Sequence, residues 1–182
     1  LANEMFLDSA SLRSSVVSHA KMLGYEVASP RAPIATINVS LSTSQALATM
    51  PAGTTFSTSV DGVNYQFVTI TDVTKQNTGN AIPFDSTEVY EGTYATTKYL
   101  VDSSNVDQRF VLTDVRADTS TLTVRVQNST TDTTTTTYTK ATDITQLSSS
   151  STVYYLQETE SGKFEIYFGD GATSVALSDG NI

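Results

Sequence analysis

From Ile34 onward the chain is written largely in period two, and this most limits what it can fold into. Over residues 34 to 41, Ala35, Ile37, Val39 and Leu41 fall on one side, and Thr36, Asn38 and Ser40 on the other. Such alternation specifies a strand with one face against a core. A second strand, 54 to 60, meets Asp61-Gly62 and returns as 64 to 71. Asp-Gly between alternating runs is a hairpin signal, because both turn residues must accept positive φ. A long strand rich in Thr and Tyr is expected over 87 to 100. Residues 42 to 50 read as a short helical turn or loop, and 74 to 86 as loop.

Beyond Asp102 the strands become shorter and more regular. They are expected at 109 to 114, 121 to 127, 133 to 140, 153 to 158 and 163 to 168. The run Thr133 to Thr137 reads as a Thr-rich strand pairing with Leu122 to Val126, or else as a flexible loop. The last two strands form a hairpin through Glu160-Ser161-Gly162-Lys163. The second of them leads straight into Gly169-Asp170-Gly171. Glycine there points to backbone geometry that side chains resist.

One segment breaks the pattern. Leu12, Val16, His19, Ala20 and Leu23 recur at helical spacing, so residues 9 to 23 read as a helix. Asp8 or Ser9 is the expected N-cap and Gly24 the expected terminator. Residues 1 to 7 read as the end of an earlier helix. Pro30 and Pro33 impose an extended connector. The fold class is therefore mainly β with a short N-terminal helix (α+β). It divides into a helical segment, 1–28, and two small antiparallel β modules, 29–102 and 103–182. The chain opens without Met and stops at Asp179-Gly180-Asn181-Ile182, where a strand is about to begin, so it reads as a fragment.

Composition narrows the function classes. The 182 residues carry a formal charge of -9. An acidic surface repels phosphate backbones, and the Lys and Arg residues are scattered singly, so nucleic acid is not an expected partner. About 30 % of the chain is Ser plus Thr. Hydroxyls keep a sheet face soluble without charge and let it dock on protein with little ion desolvation. Cysteine is absent, which removes disulfide and thiol chemistry. No apolar run approaches a membrane span. Asn38-Val39-Ser40 and Asn128-Ser129-Thr130 match the glycosylation triplet. Both read as chance matches, Asn38 in a strand and Asn128 in a turn.

No catalytic constellation is visible. His19, the single histidine, lies on the apolar stripe and reads as a half-buried packing residue. A serine triad would need a nucleophile elbow, and G-x-S-x-G is missing. Asp61, Asp170 and Asp179 each precede Gly, but the alternating oxygen ligands of a calcium loop are not there. Glu158, Glu160 and Glu165 flank one hairpin, where solvated carboxylates are ordinary. Asp61, Gly62, Gly169, Asp170 and Gly171 are thus structural turn residues. No metal, cofactor or small-molecule substrate is expected. The abundant tyrosines read as cross-strand packing, with some at a protein interface. Leu12, Val16, Leu23, Tyr94 and Tyr99 are the candidate interface residues.

Four phrases occur in a set order: Leu23-Gly24-Tyr25; Pro51-Ala52-Gly53-Thr54-Thr55-Phe56; Glu91-Gly92-Thr93-Tyr94; and Tyr167-Phe168-Gly169-Asp170-Gly171. Their order and spacing resemble the baseplate J-like proteins of contractile-tailed bacteriophages, and within them the wedge subunits of T4-like phages. The resemblance covers almost the whole chain. It departs at Ala172-Thr173-Ser174, where many members have another Gly, and in the Thr-rich hairpin. It implies a structural, non-enzymatic subunit of the virion tail baseplate, present in host cytoplasm during assembly. Contacts with copies of itself and with other wedge proteins around the tail hub are implied as well. A carbohydrate-binding or adhesive β module of a bacterial surface protein is the alternative that composition leaves open.

Overall fold

The computed structural model describes every residue except Leu1 and Val106, with backbone alone at Ala2, Asn3 and Ile144. The chain forms two compact units. One is the continuous segment Arg31–Thr96; the other joins the residues up to Pro30 with Thr97–Ile182.

The Arg31–Thr96 unit is built on a four-stranded antiparallel sheet and a separate two-stranded ribbon. Its strands are β1 (Ile34–Ser42), β2 (Leu47–Met50), β3 (Thr55–Val60), β4 (Val63–Val68), β5 (Val73–Gln76) and β6 (Ala81–Glu91). The sheet order is β1-β6-β4-β3, and β2 pairs with β5. The expected alternation in β1 holds at Ala35, Ile37 and Val39, which turn inward, whereas Leu41 is exposed. Asp61 and Gly62 have φ of 50° and 79°, so β3 and β4 close through the expected two-residue turn with both φ positive. Met50, Ile82 and Phe84 form the core, flanked by Val39, Ala48, Phe56 and Val73. Full burial of Ile82 alone stabilises by about 1.5–3 kcal/mol.

At three places the strands depart from the sequence expectation. Residues 42 to 50 hold strand β2, not a helical turn. The expected loop at 74 to 86 contains β5 and the first half of β6. The strand expected over 87 to 100 starts earlier, at Ala81, and ends at Glu91. Pro83 stands where β6 pairs only with β1, since β4 meets β6 at Tyr90 and Glu91 alone. A missing N–H is tolerated on such a free flank.

The other unit holds α1 (Arg13–Met22) and a five-stranded sheet: β7 (Phe110–Val111), β8 (Val124–Gln127), β9 (Thr135–Lys140), β10 (Val153–Glu158) and β11 (Phe164–Tyr167). The order is β7-β11-β10-β9-β8. The Thr-rich run pairs with β8 as read, Val126 opposite Thr136 and Arg125 opposite Thr137. Its connecting loop is tied by Asn128 N–H to Thr134 O and by Ser129 N–H to Asp132 O. The hairpin β10–β11 also forms as expected. One pairing is parallel: β9 and β10 meet at Val153–Thr139 and Tyr154–Lys140. The strand expected over 109 to 114 contracts to Phe110–Val111.

The core of this unit is Val101, Phe110, Val126, Tyr138, Tyr154 and Ile166. Phe168 stands edge-on to both Phe110 and Tyr138, at 5.8 and 5.3 Å between ring centres. Such pairs add about 0.5–1.5 kcal/mol each beyond their buried area. The aromatic-rich strand entering Gly169 is therefore the spine of the unit.

Candidate interaction surface

The helix α1 is shorter than the stripe implied, and its start is capped differently. Neither Asp8 nor Ser9 caps it. Leu12 is the N-cap residue and offers no side-chain bond. Glu4 reaches forward from a 3-10 turn (Ala2–Met5) instead. Its carboxylate accepts from Ser11 N–H, Ser11 Oγ and Leu12 N–H at 3.2, 2.8 and 3.2 Å. Bonds from the Ser15 hydroxyl first, then from Ser11 and Leu12, pull the Glu4 pKa down to about 2. Gly24 ends the helix as expected, at φ 80°. Gly24 N–H bonds Lys21 O, and Tyr25 N–H bonds Ala20 O. This is the paired closure that an αL glycine permits.

The helix is held to its unit by polar contacts. Arg13 grips Glu158 with two bonds, Nε to Oε1 at 2.9 Å and Nη2 to Oε2 at 3.0 Å. Lys21 Nζ donates to Glu158 O at 2.6 Å. Lys140 pairs with Glu26, and Ser29 Oγ accepts from Thr119 N–H at 2.9 Å. Glu158 is buried, so its charge requires the Arg13 fork. The bond to Glu158 in turn raises the Arg13 pKa. This buried carboxylate is thereby committed to a structural clamp, while Glu165 accepts from Gln157 Nε2.

No residue of α1 is fully buried, and the expected packing stripe is split: His19 and Ala20 are half-buried, while Leu12, Val16 and Leu23 are exposed. Leu12 and Leu23 are 58 % and 63 % exposed, and Val16 lies at the margin. Met5, Phe6, Leu7, Met22 and Tyr25 are also exposed. His19 is half-buried, its Nε2 2.9 Å from Glu4 O. Exposed apolar residues along a short helix are what an assembly contact offers.

The remaining candidates divide. Tyr94 is exposed, yet its ring edge crosses Gly53, leaving 3.3 Å to a notional Cβ there. The Pro-Ala-Gly-Thr and Glu-Gly-Thr-Tyr phrases thus meet, and Gly92 N–H bonds Gln66 O beside them. Tyr99 is half-buried, edge-on to Phe110, with its hydroxyl donating to Val111 O. Tyr99 therefore packs inward more than it faces a partner.

The Gly-Asp-Gly turn uses its glycines differently. Gly171 has φ 90° and donates to Ser174 O. Gly169 has no positive φ; instead a Cβ there would stand 2.0 Å from Ser174 Oγ. Asp170 Oδ1 accepts from Ala172 N–H at 3.0 Å. These residues build a turn.

Among the described residues no group of three His, Cys, Asp or Glu could hold a metal ion. A shallow depression of about 300 Å³ lies over Thr69, Asp85 and Tyr90 and carries no convergent catalytic pair. No described helix is long and apolar enough to cross a membrane.

Comparison with known proteins gives the surface its context. Residues 96–182 match the family of the third domain of the bacteriophage baseplate wedge protein gp6. Over 186 residues the chain is 31 % identical to the baseplate wedge protein gp6 of Enterobacteria phage T4. That alignment covers 97 % of this chain and 26 % of the phage protein, so the chain spans about a quarter of its relative's length. The resemblance to the wedge subunits of T4-like phages read from the four phrases is borne out.

Proposed function

We propose that this relative of the phage baseplate wedge proteins is a structural part of a contractile-tail baseplate wedge. It works by protein–protein contact around the tail hub, with copies of itself and with other wedge proteins, and performs no catalysis. The observation that carries the reading is the similarity over nearly the whole chain to a wedge protein of phage T4. Two structural features support it. Along helix α1 and its two ends, Leu12, Val16, Met22 and Leu23 are exposed. The one buried carboxylate among the described residues is spent on holding that helix in place.

The chain self-associates in this reading, since a closed ring of identical subunits requires contacts between copies or through a neighbour. Leu12, Val16 and Leu23 offer apolar contact to a neighbouring wedge protein, and Tyr94 lies exposed on the other unit. Immunogold labelling of purified phage with an antibody against this chain tests the placement. The label belongs at the baseplate end of the tail. Label on the capsid, or on the host surface, would contradict it.

A further inference from the structure

Strand β3 is an edge without the usual protection. Its register with β4 runs unbroken from Thr55–Val68 to Val60–Val63, with no bulge. Val60 and Val63 flank the two-residue turn, so they exchange backbone bonds, and every second pair follows. Thr69 N–H bonding Thr54 O at 3.1 Å fits the same alternation. Phe56, Thr58 and Val60 therefore face β4. The backbone N–H and C=O groups of Thr55, Ser57 and Ser59 point outward. Among the described residues no backbone bond reaches them, and all three side chains are exposed.

Natural edges are blunted by Lys, Pro, bulges or covering loops. The pairing at the opposite edge of this sheet, β1 with β6, has such a bulge: β6 sets Asp85 and Ser86 against the single Asn38, whose Oδ1 takes Ser86 N–H at 2.8 Å. β3, reading Thr-Phe-Ser-Thr-Ser-Val, has none. Beside it Val60, Val63 and Tyr65 share one face and are exposed. An added strand would find apolar neighbours on that face and hydroxyls on the other.

We propose that β3 is the pairing edge for a second copy of this chain, antiparallel and centred on Ser57. The inference rests on the self-association in the reading above and names the surface that performs it. Three features favour a copy as the occupant. Ser57 would face Ser57, and Thr55 would face Ser59, so each outward group meets its own complement across a twofold axis. The two four-stranded sheets would fuse into one of eight strands. Charge also permits it: in a chain of -9, Asp61 is the single charged residue between Gly53 and Thr71. In the centred register the two Asp61 residues lie eight positions apart along the strands, roughly 27 Å. That is about three Debye lengths at physiological salt, so their repulsion is screened.

The test is sedimentation of the 182-residue chain across micromolar to sub-millimolar concentration, with thermal unfolding alongside. Ser57→Pro removes one outward N–H and leaves the β3–β4 ladder intact. Ser57→Lys keeps the backbone and sets two like charges face to face. The wild type is expected to dimerise. Each variant is expected to weaken the dimer by about tenfold or more, with an unchanged melting midpoint. Leu12→Ser with Leu23→Ser is expected to leave this dimer in place. Should Ser57→Pro unfold the chain, Ser57→Lys decides. A wild-type monomer throughout, or a dimer that survives Ser57→Lys or is lost through the helix variant, overturns the inference. Wedge membership is read separately, from the composition of tails, and does not depend on which edge pairs.

Discussion

Gly169 and Ser174 form the most exacting contact in the molecule. Ser174 is fully buried, and its hydroxyl has no hydrogen-bond partner among the described residues. Gly169 makes room for it, since any Cβ would overlap that hydroxyl. Gly169→Ala is therefore expected to destabilise by about 1–3 kcal/mol, the range for overpacking. Ser174→Ala removes an unpaired buried group and is expected to be neutral or to stabilise by about 1 kcal/mol. The two changes share one cavity and are expected to be non-additive in chemical denaturation. Strict additivity would mean the glycine answers to something else. Gly171 obeys a different constraint, a φ of 90°, and Gly171→Val is expected to cost about 1–3 kcal/mol. Both glycines were legible as turn residues. The cause at Gly169 was not, because Ser174 is visible as its neighbour only once the chain has turned back.

Helix α1 is organised by two carboxylates outside it, Glu4 just ahead of it and Glu158 remote in sequence. Arg13→Ala leaves Glu158 buried without its fork. The expected loss is about 1–3 kcal/mol, below that of a fully buried pair because the Arg13 side chain is 67 % exposed. Amide exchange should rise first in residues 13 to 22. The Glu4 cap gives a pH signature. Its pKa falls from 4.5 to about 2 on folding, so its contribution is complete above pH 4.5. That contribution is lost as pH drops through about 2, and exchange at Ser11 and Leu12 should report it. Glu4→Gln should abolish the transition in that window. The helix, its glycine stop, the Asp61-Gly62 turn and the β10–β11 hairpin were readable because each is written in consecutive residues. The pair β2–β5 was not: four-residue strands carry too little period, and their partners lie more than twenty positions apart. Pro83 and the positive φ of Ser86 hid β6 by placing breaker-like residues inside it.

The whole chain combines two β units whose interiors are accounted for with an outer surface that is uncharged in places and apolar in others. What the exposed features have in common is that they carry few charges. The Ser/Thr-rich strands, the exposed Leu12, Val16 and Leu23 and the bare β3 edge all present surface that a partner could cover without desolvating ions. Of the candidate interface residues, Leu12, Val16, Leu23 and Tyr94 stand where a partner could reach them, and Tyr99 does not. Composition left an assembly subunit and an adhesive surface module equally open, and only the order of four short phrases pointed to a baseplate. Cross-linking mass spectrometry of purified, DNA-free tails decides whether the chain is part of the wedge. Peptides of this sequence are expected in proportion to the other wedge proteins and cross-linked to them. Tails complete in their other wedge proteins but lacking these peptides would contradict it.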